Sequence, residues 1–411
     1  MSPEMRQPDQ EERLARLALY LGLNTNTGAF HRVMRHTGSA VAAFEGVDLT
    51  VLGVNLPTLL SNGFFEEAYA RFREAESKGL DILIWGDEHF PLRLDEIPDP
   101  PPALWVKGKI EAGDQFSVGL VGSRTASFHG LASARRFAGE GAAKGLTIVS
   151  GLAKGVDAQA HWGALEAGGR TLAVLGSGLD WKYPKENAKL YEHIPASGAL
   201  ISEFPPDLKP IPANFPRRNR VIAGLSLAVV VVEAGERSGA LITARQALEI
   251  NREVMALPGP AGIDGARGGN KLIKDGAALV ENMDEVIAEI RPRLLEGLNP
   301  IQPAGRPIAA PPLNHEEIPA PLAEAASAKR GQAGAKAPSS IRPQLKDIGP
   351  PPEPDSPEGI VLKILASGPK DAESLVQLSG LTVSDISLTL LTLELQGQLV
   401  RLESGLYQTA K

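Results

Sequence analysis

The chain has 411 residues, too many for one ordinary domain, and its 43% hydrophobic content can supply more than one core. It contains no cysteine, which excludes a disulfide framework, a thiolate metal site and a cysteine nucleophile. The net charge of −7 argues weakly against nucleic-acid binding, for which a basic footprint is the usual sign, but it leaves room for a local basic surface.

The N-terminal stretch and the longest apolar run predict no membrane contact. The first residues, MSPEMRQPDQEER, lack the basic and then apolar pattern of a signal peptide, and we expect residues 1–11 to form a disordered tail. The run LSLAVVVVEA is far shorter than the ~18 apolar residues of a membrane-spanning helix. We therefore expect a cytoplasmic protein.

Residues 12–80 have the periodicity of short helices. Leu14, Leu17 and Leu21 are spaced by three and four residues, and turn signals such as NTNTG and HTGS divide the segment. The pattern is typical of a small DNA-associated module of the helix-hairpin-helix or sterile-alpha-motif kind. A plain helical packing domain explains it equally well, so both interpretations stay open.

Residues 81–295 consist of short apolar runs that alternate with helical patterns. DILIWG, FSVGLVG, LTIVSG, TLAVLG, ALISE, LAVVVVEA and EVMALPG are apolar nearly throughout, as the strands of a parallel sheet buried on both faces must be. Strand and helix in alternation predict an α/β fold with a Rossmann-like, doubly wound and mostly parallel sheet.

Beyond this region the composition changes twice. Residues 296–354 hold 13 of the chain's 33 prolines and no aromatic residue, which predicts a Pro/Ala-rich linker. Residues 355–411 predict a winged-helix-like domain, with helices near 357–366, 371–379 and 382–396 and then a hairpin. The third helix carries threonine and serine without arginine or lysine, so a protein partner is at least as good an expectation as DNA.

The loops after the predicted strands have the composition of anion sites. Open parallel sheets bind ligands at the carboxyl ends of their strands, where glycine turns and helix starts present N–H groups. Arg124 adds a fork suited to a phosphate, and the segment 205–220 has four basic residues and one acid, a net +3. Several such loops on one rim, with Phe215 and Tyr183 nearby, predict a track for a phosphate chain with unstacked bases.

The candidate binding residues taken from these loops are Gly122, Ser123, Arg124, Ser150, Gly151, Lys154, Lys185, Lys209, Phe215, Arg217, Arg218, Asn219, Arg220, Ser238 and Gly239. Two of them have a structural alternative, because Arg218 and Arg220 could pair with Glu233 or Glu203 and hold the fold.

A search for catalytic groups finds little. The G-x-G-x-x-G fingerprint is absent, and no P-loop lysine, G-x-S-x-G elbow or metal-ligand spacing of histidines appears. We expect His161 to pack or hydrogen-bond within a helix. The carboxylates near strand ends have no spacing that requires acid–base catalysis: Asp157, Asp180, Glu203 and Glu233. We expect no cofactor, no metal and no enzymatic activity.

Six segments in one order resemble a known family. VGSRTASFHG, SGLAKGVDAQAHWGALEAGGRTLAVLGSGLDWKYPKEN, ISEFPP, FPRRNRVIAGLS, VVVVEAGERSGALITARQALEINREVMALPG and GGNKLIKDGA run through about 115–280. Together they are similar to the DNA-processing protein A family, DprA or Smf. Several long motifs in a consistent order are far more specific than any single glycine loop.

The resemblance implies a bacterial single-stranded DNA-binding protein. Members protect incoming DNA, load the RecA recombinase in natural transformation and recombination, and form a homodimer through the Rossmann-like domain. The family's glycine-serine-arginine motif corresponds to Gly122, Ser123 and Arg124. The residues that would form its basic pocket and base-stacking surface are Lys185, Lys209, Arg218, Arg220 and Phe215.

A second resemblance gives the alternative function. The sheet is also similar to that of the lysine decarboxylase-like phosphoribohydrolases, nucleotide-processing enzymes with a P-G-G-x-G-T-x-x-E motif and a catalytic glutamate. Here GERSGALITARQALE lacks the double glycine and places Thr243 and Glu249 at other intervals. Hydrolysis of a nucleotide is therefore the second hypothesis.

Overall fold

The computed structural model describes most of the chain outside the predicted linker. The described residues are 8–44, 63–298 and 356–382, followed by the short pieces 385–386, 389–390, 392–393, 398–402 and 406–409. Nearly all of the predicted linker 296–354 lies outside them, as do residues 1–7 of the predicted tail. The tail prediction is wrong for its last residues, because a helix begins at Gln10 and the Asp9 side chain accepts a hydrogen bond from the Glu12 N–H.

The N-terminal part of the chain is helical, as the periodicity predicts. Its helices are α1 (Gln10–Gly22), α2 (Thr27–Thr37), α3 (Ala40–Phe44) and α4 (Phe64–Ser77), which together are called the helical module below. Tyr20 of α1 and Phe30 of α2 meet edge to face with 6.3 Å between ring centroids. The same hydrophobic cluster includes Ile84 and Trp105 from the adjoining sheet. The helical module therefore shares its core with the sheet.

The central part alternates strands and helices. In chain order these are β1 (Asp81–Ile84), α5 (Leu92–Asp95), β2 (Ala103–Gly108), β3 (Ser117–Val121), α6 (Phe128–Ala143), β4 (Thr147–Ser150), α7 (Val156–Glu166), β5 (Thr171–Val174), α8 (Ala188–His193), β6 (Gly198–Ser202), α9 (Asn214–Leu225), β7 (Ala228–Val231), α10 (Ala240–Glu249), β8 (Glu253–Ala256), α11 (Asp264–Lys274), β9 (Ala278–Leu279) and α12 (Met283–Leu298).

Within the described residues these strands form one sheet in the order β1-β2-β6-β5-β4-β3-β7-β8-β9. The pairs β1–β2 and β2–β6 are antiparallel, and every other pair is parallel. The chain moves outward in one direction from β3 to β6 and then returns to place β7 on the other side of β3. The predicted doubly wound, mostly parallel sheet is confirmed, with the reversal point between β3 and β7.

Both faces of the sheet are covered, and this explains why its strands are apolar throughout. Val229 and Val231 belong to a cluster with α9 and α10, whereas Ala228 and Val230 belong to one with α6 and α12. Successive strand residues point to opposite faces, so each strand must supply apolar side chains to both. Sequence reasoning missed β2, which follows a run of prolines, and β9, which has only two residues.

The C-terminal module has helices α13 (Pro357–Leu365) and α14 (Ala372–Ser379), and the antiparallel hairpin of β10 (Leu399–Arg401) and β11 (Tyr407–Thr409). The predicted third helix, 382–396, lies only partly within the described residues, which are helical at 385–386, 389–390 and 392–393. A search of the described helices finds none with the length and apolar character to span a bilayer.

Candidate functional site

A pocket opens at the carboxyl ends of β3, β4 and β5. Arg124 follows β3, Lys154 follows β4 and Tyr183 lies in the loop after β5, while Phe215 in the first turn of α9 closes the pocket. The lining residues are Arg124, Gly151, Ala153, Lys154, Leu175, Gly176, Ser177, Tyr183, Pro184 and Phe215. The pocket therefore combines two cations with aromatic and apolar walls.

The aromatic wall is built around Phe215. Its ring centroid lies 5.8 Å from that of Tyr183, and the Arg124 guanidinium lies over its face, 5.5 Å from the centroid. Gly176 permits this packing, because a Cβ there would come within 2.7 Å of the Phe215 ring. Tyr183 is 44% exposed and presents ring surface to solvent. Rings beside an exposed guanidinium suit a ligand that has both a base and a phosphate.

Arg218 lies behind the pocket floor. Its guanidinium donates to the carbonyl oxygens of Gly151, at 2.7 Å, and Val174, and its Nε donates to Asn219 Oδ1 at 3.1 Å. Gly151 has no room for a side chain, because a Cβ would lie 2.7 Å from this guanidinium. Burial lowers the pKa of Arg218 to about 10, and the nearby Asp157 carboxylate opposes this shift. Arg218 therefore stays cationic at neutral pH, beside the Asp157 carboxyl group.

Two carboxylates of the chain itself occupy N–H groups that were predicted to face an anion. Glu233 accepts hydrogen bonds from the Ser127 N–H at 2.8 Å and from the Ser127 hydroxyl at 2.5 Å, at the beginning of α6. Asp157 accepts from the N–H groups of Gly151, at 3.2 Å, and Ala153, at 3.4 Å. The prediction that these donors are open to a phosphate is wrong, because the chain already satisfies them.

The crevice at the reversal point between β3 and β7 is filled. The Ser123 N–H donates to the Glu233 carbonyl oxygen at 2.7 Å, and a Cβ on Gly122 would lie 2.5 Å from the Val156 side chain. Gly122 thus lets two loops pack together, which corrects its predicted role of exposing backbone to a ligand. A Rossmann dinucleotide binds across this crevice, so the filled crevice fits the missing glycine fingerprint.

The rim carries the three predicted lysines. Lys154 is exposed and forms an ion pair with Glu186. Lys209 lies over the Trp181 ring, with its Nζ 5.7 Å from the centroid. Lys185 is exposed on the short turn before α8 and is not among the lining residues. Beyond the pocket, the rim therefore continues with exposed lysines, the carboxylates that pair with some of them, and one exposed indole.

Arg217 and Arg220 face the helical module. Arg220 donates to Glu203 at 2.6 Å, and the Arg217 Nε lies 3.2 Å from the same carboxylate, which is almost fully buried. The pair of Arg220 with Glu203 confirms the structural alternative for that arginine. Neither Arg217 nor Arg220 lines the pocket beside Phe215, and both line a second opening next to Thr27. Arg218 does not pair with Glu233, which instead binds Ser127.

Several other candidates lie away from the pocket surface. Ser150 is fully buried and donates its hydroxyl to the Leu120 carbonyl oxygen at 2.6 Å, which corrects its assignment as a ligand contact. Asn219 is buried and holds Arg218 through its side-chain oxygen. Ser238 and Gly239 begin α10 and do not line the pocket. Of the predicted set, the structure brings together Arg124, Gly151, Lys154 and Phe215 in the pocket.

His161 behaves as a structural residue, as expected. It is fully buried, with Nδ1 2.7 Å from the Thr171 hydroxyl, which itself donates to the Ile148 carbonyl oxygen. The hydroxyl must therefore accept from a protonated Nδ1. Burial, reinforced by the Arg218 cation, lowers the pKa of His161 to about 3. Among the described residues, no group of three or more His, Asp or Glu side chains could hold a metal ion.

Sequence reasoning missed part of the pocket. Ser177 and Pro184 line it, and Asn187 ties the loops together by donating to the carbonyl oxygens of Leu152 and Ala153 at 2.9 and 3.0 Å. These residues sit in an irregular loop of the chain, and no motif spacing marks them. Their role follows only from the pairing of β4 with β5, which brings the two loops side by side.

Comparisons with known proteins show what the chain is similar to. Residues 81–291 match the family model of DNA recombination-mediator protein A, and residues 348–405 match that of the DprA winged helix domain. The chain is 38% identical over 340 residues to Protein Smf of Synechocystis sp., covering 81% of each. It is 44% identical over 204 residues to DNA processing protein DprA of Streptococcus pneumoniae, covering 49% of this chain and 72% of that one.

A solved structure extends the similarity to three dimensions. The X-ray structure of DNA processing protein A from Streptococcus pneumoniae superposes with a TM-score of 0.52 at 33% sequence identity. The match covers 69% of this chain and 95% of that one. The similarity therefore includes most of the described fold.

Proposed function

Because this chain belongs to the DNA recombination-mediator protein A family, DprA or Smf, we propose that it binds single-stranded DNA at the pocket beside Phe215. In this role it protects incoming strands and loads them with the RecA recombinase during natural transformation and recombination. The chain acts in the cytoplasm as a binding protein, without a cofactor.

The observation that carries the proposal is the contact of Arg124 with Phe215. The guanidinium lies over one face of the ring, and Tyr183 lies beside it. Arg124 is exposed, so it can pair with a phosphate while the rings stack on a base. In a duplex the bases are already stacked on each other, so this arrangement favours a single strand.

The rim supports a path longer than one nucleotide. Trp181 is 38% exposed and lies beneath Lys209, which repeats the combination of ring and cation found inside the pocket. Backbone hydrogen bonds hold this position to the loop after β6, with the Gly178 N–H donating to the Leu208 carbonyl oxygen at 2.8 Å. A strand that leaves the pocket would therefore meet a second stacking surface.

The nucleotide hydrolase remains the second candidate and has less support. In the segment that corresponds to the hydrolase motif, Glu249 is exposed at the end of α10 and does not line the pocket. Asp157, Glu203 and Glu233 are each engaged with donors of the chain. No carboxylate appears among the lining residues of the described pocket, and a hydrolase needs one there.

A homodimer through the Rossmann-like domain belongs to the proposal. The sheet ends at β9, where Leu279 is 48% exposed, and Ile263 before α11 is 56% exposed. Apolar side chains at a sheet edge favour pairing with another chain. We expect Leu279→Glu to shift the protein toward the monomer in sedimentation velocity, while an unchanged profile would argue against this edge.

The central experiment measures binding of a labelled single strand of about 30 nucleotides across a salt series. Arg124→Ala should weaken binding and reduce the slope of log K against log salt by about one unit, because one phosphate contact is lost. Phe215→Leu should weaken binding with the slope unchanged, since stacking on a base is worth roughly 1–3 kcal/mol and involves no counterion.

The matched control is Lys107→Ala. Lys107 is exposed on β2, which is separated from β5 by β6, and it is not among the lining residues of the pocket. This variant should bind as the wild type does. The proposal fails if the wild-type protein shows no affinity at low salt, and the hydrolase gains support if it cleaves a nucleoside monophosphate.

A further inference from the structure

A buried polar cluster joins α9 to the helical module. Glu203 accepts from Arg220 at 2.6 Å and lies 3.2 Å from the Arg217 Nε. The Tyr20 hydroxyl of α1 donates to the Glu203 carbonyl oxygen at 3.1 Å and accepts from Arg217 at 2.8 Å. The Thr27 hydroxyl, at the beginning of α2, accepts from both arginines at 3.3 and 3.4 Å. These residues are called the joint below.

Most of the joint is buried, although the Arg217 side chain remains 27% exposed. Tyr20 is fully buried, Glu203 is 1% exposed and Arg220 is 9% exposed. Phe204, also fully buried, lies under the Arg217 guanidinium, 5.0 Å from its ring centroid. A buried charge needs all of its partners in place, so the joint tolerates little movement of α9 relative to α1 and α2.

The other side of α9 serves the pocket. Phe215 forms the aromatic wall and Arg218 supports the floor, and these two residues are three positions apart. Arg217 and Arg220 are also three positions apart and form the joint. Residues at this spacing share one face of a helix, so pocket and joint occupy two faces of the same rigid element. Movement at the joint would therefore displace Phe215.

A second set of contacts ties the helical module to the rim. Arg71 of α4 pairs with Asp207 at 3.0 Å, and Lys78, just after α4, pairs with Asp180 at 2.7 Å. Asp180 and Asp207 belong to the two loops that place Lys209 over the Trp181 ring. The helical module thus contacts both the helix and the loops that shape the binding surface.

We propose that the helical module positions the single-strand pocket through the joint, and that Arg217 and Tyr20 are positioning residues for DNA binding. Arg217 acts through α9, not through a phosphate. This inference rests on the proposed function, because it concerns the affinity of the same pocket. The helical module would then contribute to DNA binding without contacting the DNA.

Tyr20→Phe is the sharpest test, since it removes one buried hydroxyl, keeps the ring and changes no charge. In the full chain we expect single-strand affinity to fall about fivefold, the fold-change that corresponds to one lost hydrogen bond. The dependence of log K on log salt should keep the wild-type slope. Arg35→Ala, which removes an exposed arginine of the same helical module, is the control and should bind as the wild type does.

Arg217→Ala separates positioning from direct contact. A positioning role predicts weaker binding with the wild-type salt slope, whereas a phosphate contact predicts a slope smaller by about one unit. A reduced slope for Arg217→Ala, or wild-type affinity for Tyr20→Phe, would overturn the proposal. Thermal unfolding of each variant shows whether it is folded at the temperature of the binding assay.

Hydrogen exchange without DNA distinguishes failure of the joint from failure of the proposed function. Tyr20→Phe should speed amide exchange in residues 214–225, and Arg35→Ala should not. If the wild-type protein binds no single strand, the proposed function fails and this proposal falls with it. If the wild type binds and Tyr20→Phe changes neither exchange nor affinity, the joint alone is refuted.

Discussion

Two sites at the carboxyl ends of the parallel strands differ in whether they are filled or open. Between β3 and β7 the crevice is filled by Glu233, whose carboxylate binds Ser127 and whose carbonyl oxygen accepts from the Ser123 N–H. Over β4 and β5 a pocket stays open, with Arg124 and Lys154 at its mouth. Both positions follow parallel strands and contain glycine turns. They differ in what is left for a ligand: in the pocket Asp157 takes the N–H groups of Gly151 and Ala153, but the exposed side chains of Arg124 and Lys154 remain.

The difference shows how a Rossmann-like sheet can change its ligand. Where a carboxylate of the chain satisfies the N–H groups of a helix start, a dinucleotide phosphate has no free donors there. The remaining binding capacity then lies in side chains, which hold a flexible polyanion without recognising a defined cofactor. Arg218, buried behind the pocket floor, holds the carbonyl oxygens of Gly151 and Val174 in place on that side.

Removing the buried cation behind the open pocket should have the largest effect. Arg218→Met leaves the carbonyl oxygens of Gly151 and Val174 without this donor and Asp157 without its neighbouring positive charge. We expect the free energy of unfolding to fall by about 3–5 kcal/mol, as for other buried charges that lose a partner. Urea denaturation measures this loss.

The matched variant for Arg218 is Arg124→Ala, which removes an arginine from the exposed side of the same pocket. It should leave the free energy of unfolding within about 0.5 kcal/mol of the wild type, because exposed substitutions rarely cost more. Equal destabilisation by the two variants would refute the distinction between a supporting and a contacting arginine.

Protonation of His161, which is buried near Arg218, would add a second positive charge behind the pocket and should destabilise the fold. Burial and the Arg218 cation lower the pKa of His161 to about 3. Below about pH 6.5 the unfolded chain therefore binds a proton at His161, whereas the folded chain keeps this ring neutral. Stability therefore falls as the pH falls below 6.5, by about 1.4 kcal/mol per pH unit. Between pH 6.5 and pH 5 this amounts to about 2 kcal/mol.

His161→Gln isolates this contribution. Comparing the urea midpoints of variant and wild type at several pH values cancels the other titrating groups, including Asp157. The variant should lose less stability than the wild type on acidification. Parallel pH curves for the two proteins would show that His161 can be protonated in the folded state.

The sequence predicts the sheet well and the site only in part. Runs such as LAVVVVEA are apolar on both faces because helices cover both sides, and this local pattern needs no knowledge of the partners. Arg124 and Phe215 were identified because each carries a recognisable chemistry. Arg217 and Arg218 are adjacent and chemically identical, and only the orientation of α9 sends one to the joint and the other to the pocket floor.

The same limit explains the misread loops. Gly122 and Gly151 were predicted to expose backbone, whereas each makes room for a neighbour, Val156 in one case and Arg218 in the other. The carboxylate that takes the Ser127 donors comes from a residue 106 positions away in the chain. Local composition cannot reveal such a distant partner, so a loop with free donors and one with occupied donors look alike in sequence.

The filled crevice offers the third test. Glu233→Ala removes both hydrogen bonds to Ser127 and leaves space beside Gly130 and Gly265, whose faces pack against the Glu233 side chain. We expect a loss of about 1–2 kcal/mol in the free energy of unfolding. Inorganic phosphate should restore part of this stability in the variant and have less effect on the wild type, as thermal unfolding would show. Equal responses would mean that the crevice is no anion site even when emptied.

The smallest expected effect concerns the open pocket, where Glu186 neutralises Lys154. Both side chains are largely exposed, and the hydrogen bond from Lys154 lowers the pKa of Glu186. A phosphate that binds Lys154 must displace this carboxylate. Glu186 therefore competes with a ligand in the pocket as Glu233 does in the crevice, but more weakly. Glu186→Gln should therefore tighten single-strand binding about two- to fivefold and steepen the salt slope by up to about one unit.

Glu192→Gln is the control for Glu186, because Glu192 pairs with Lys182, which is not among the lining residues of the pocket. It should leave affinity and slope close to those of the wild type. If both variants tighten binding equally, the gain reflects the net charge of the surface and not release of Lys154. If Glu186→Gln alone does so, the open pocket and the filled crevice differ in degree: the crevice holds its internal anion through two hydrogen bonds from Ser127, and the pocket holds its own through an exchangeable ion pair of Lys154 and Glu186.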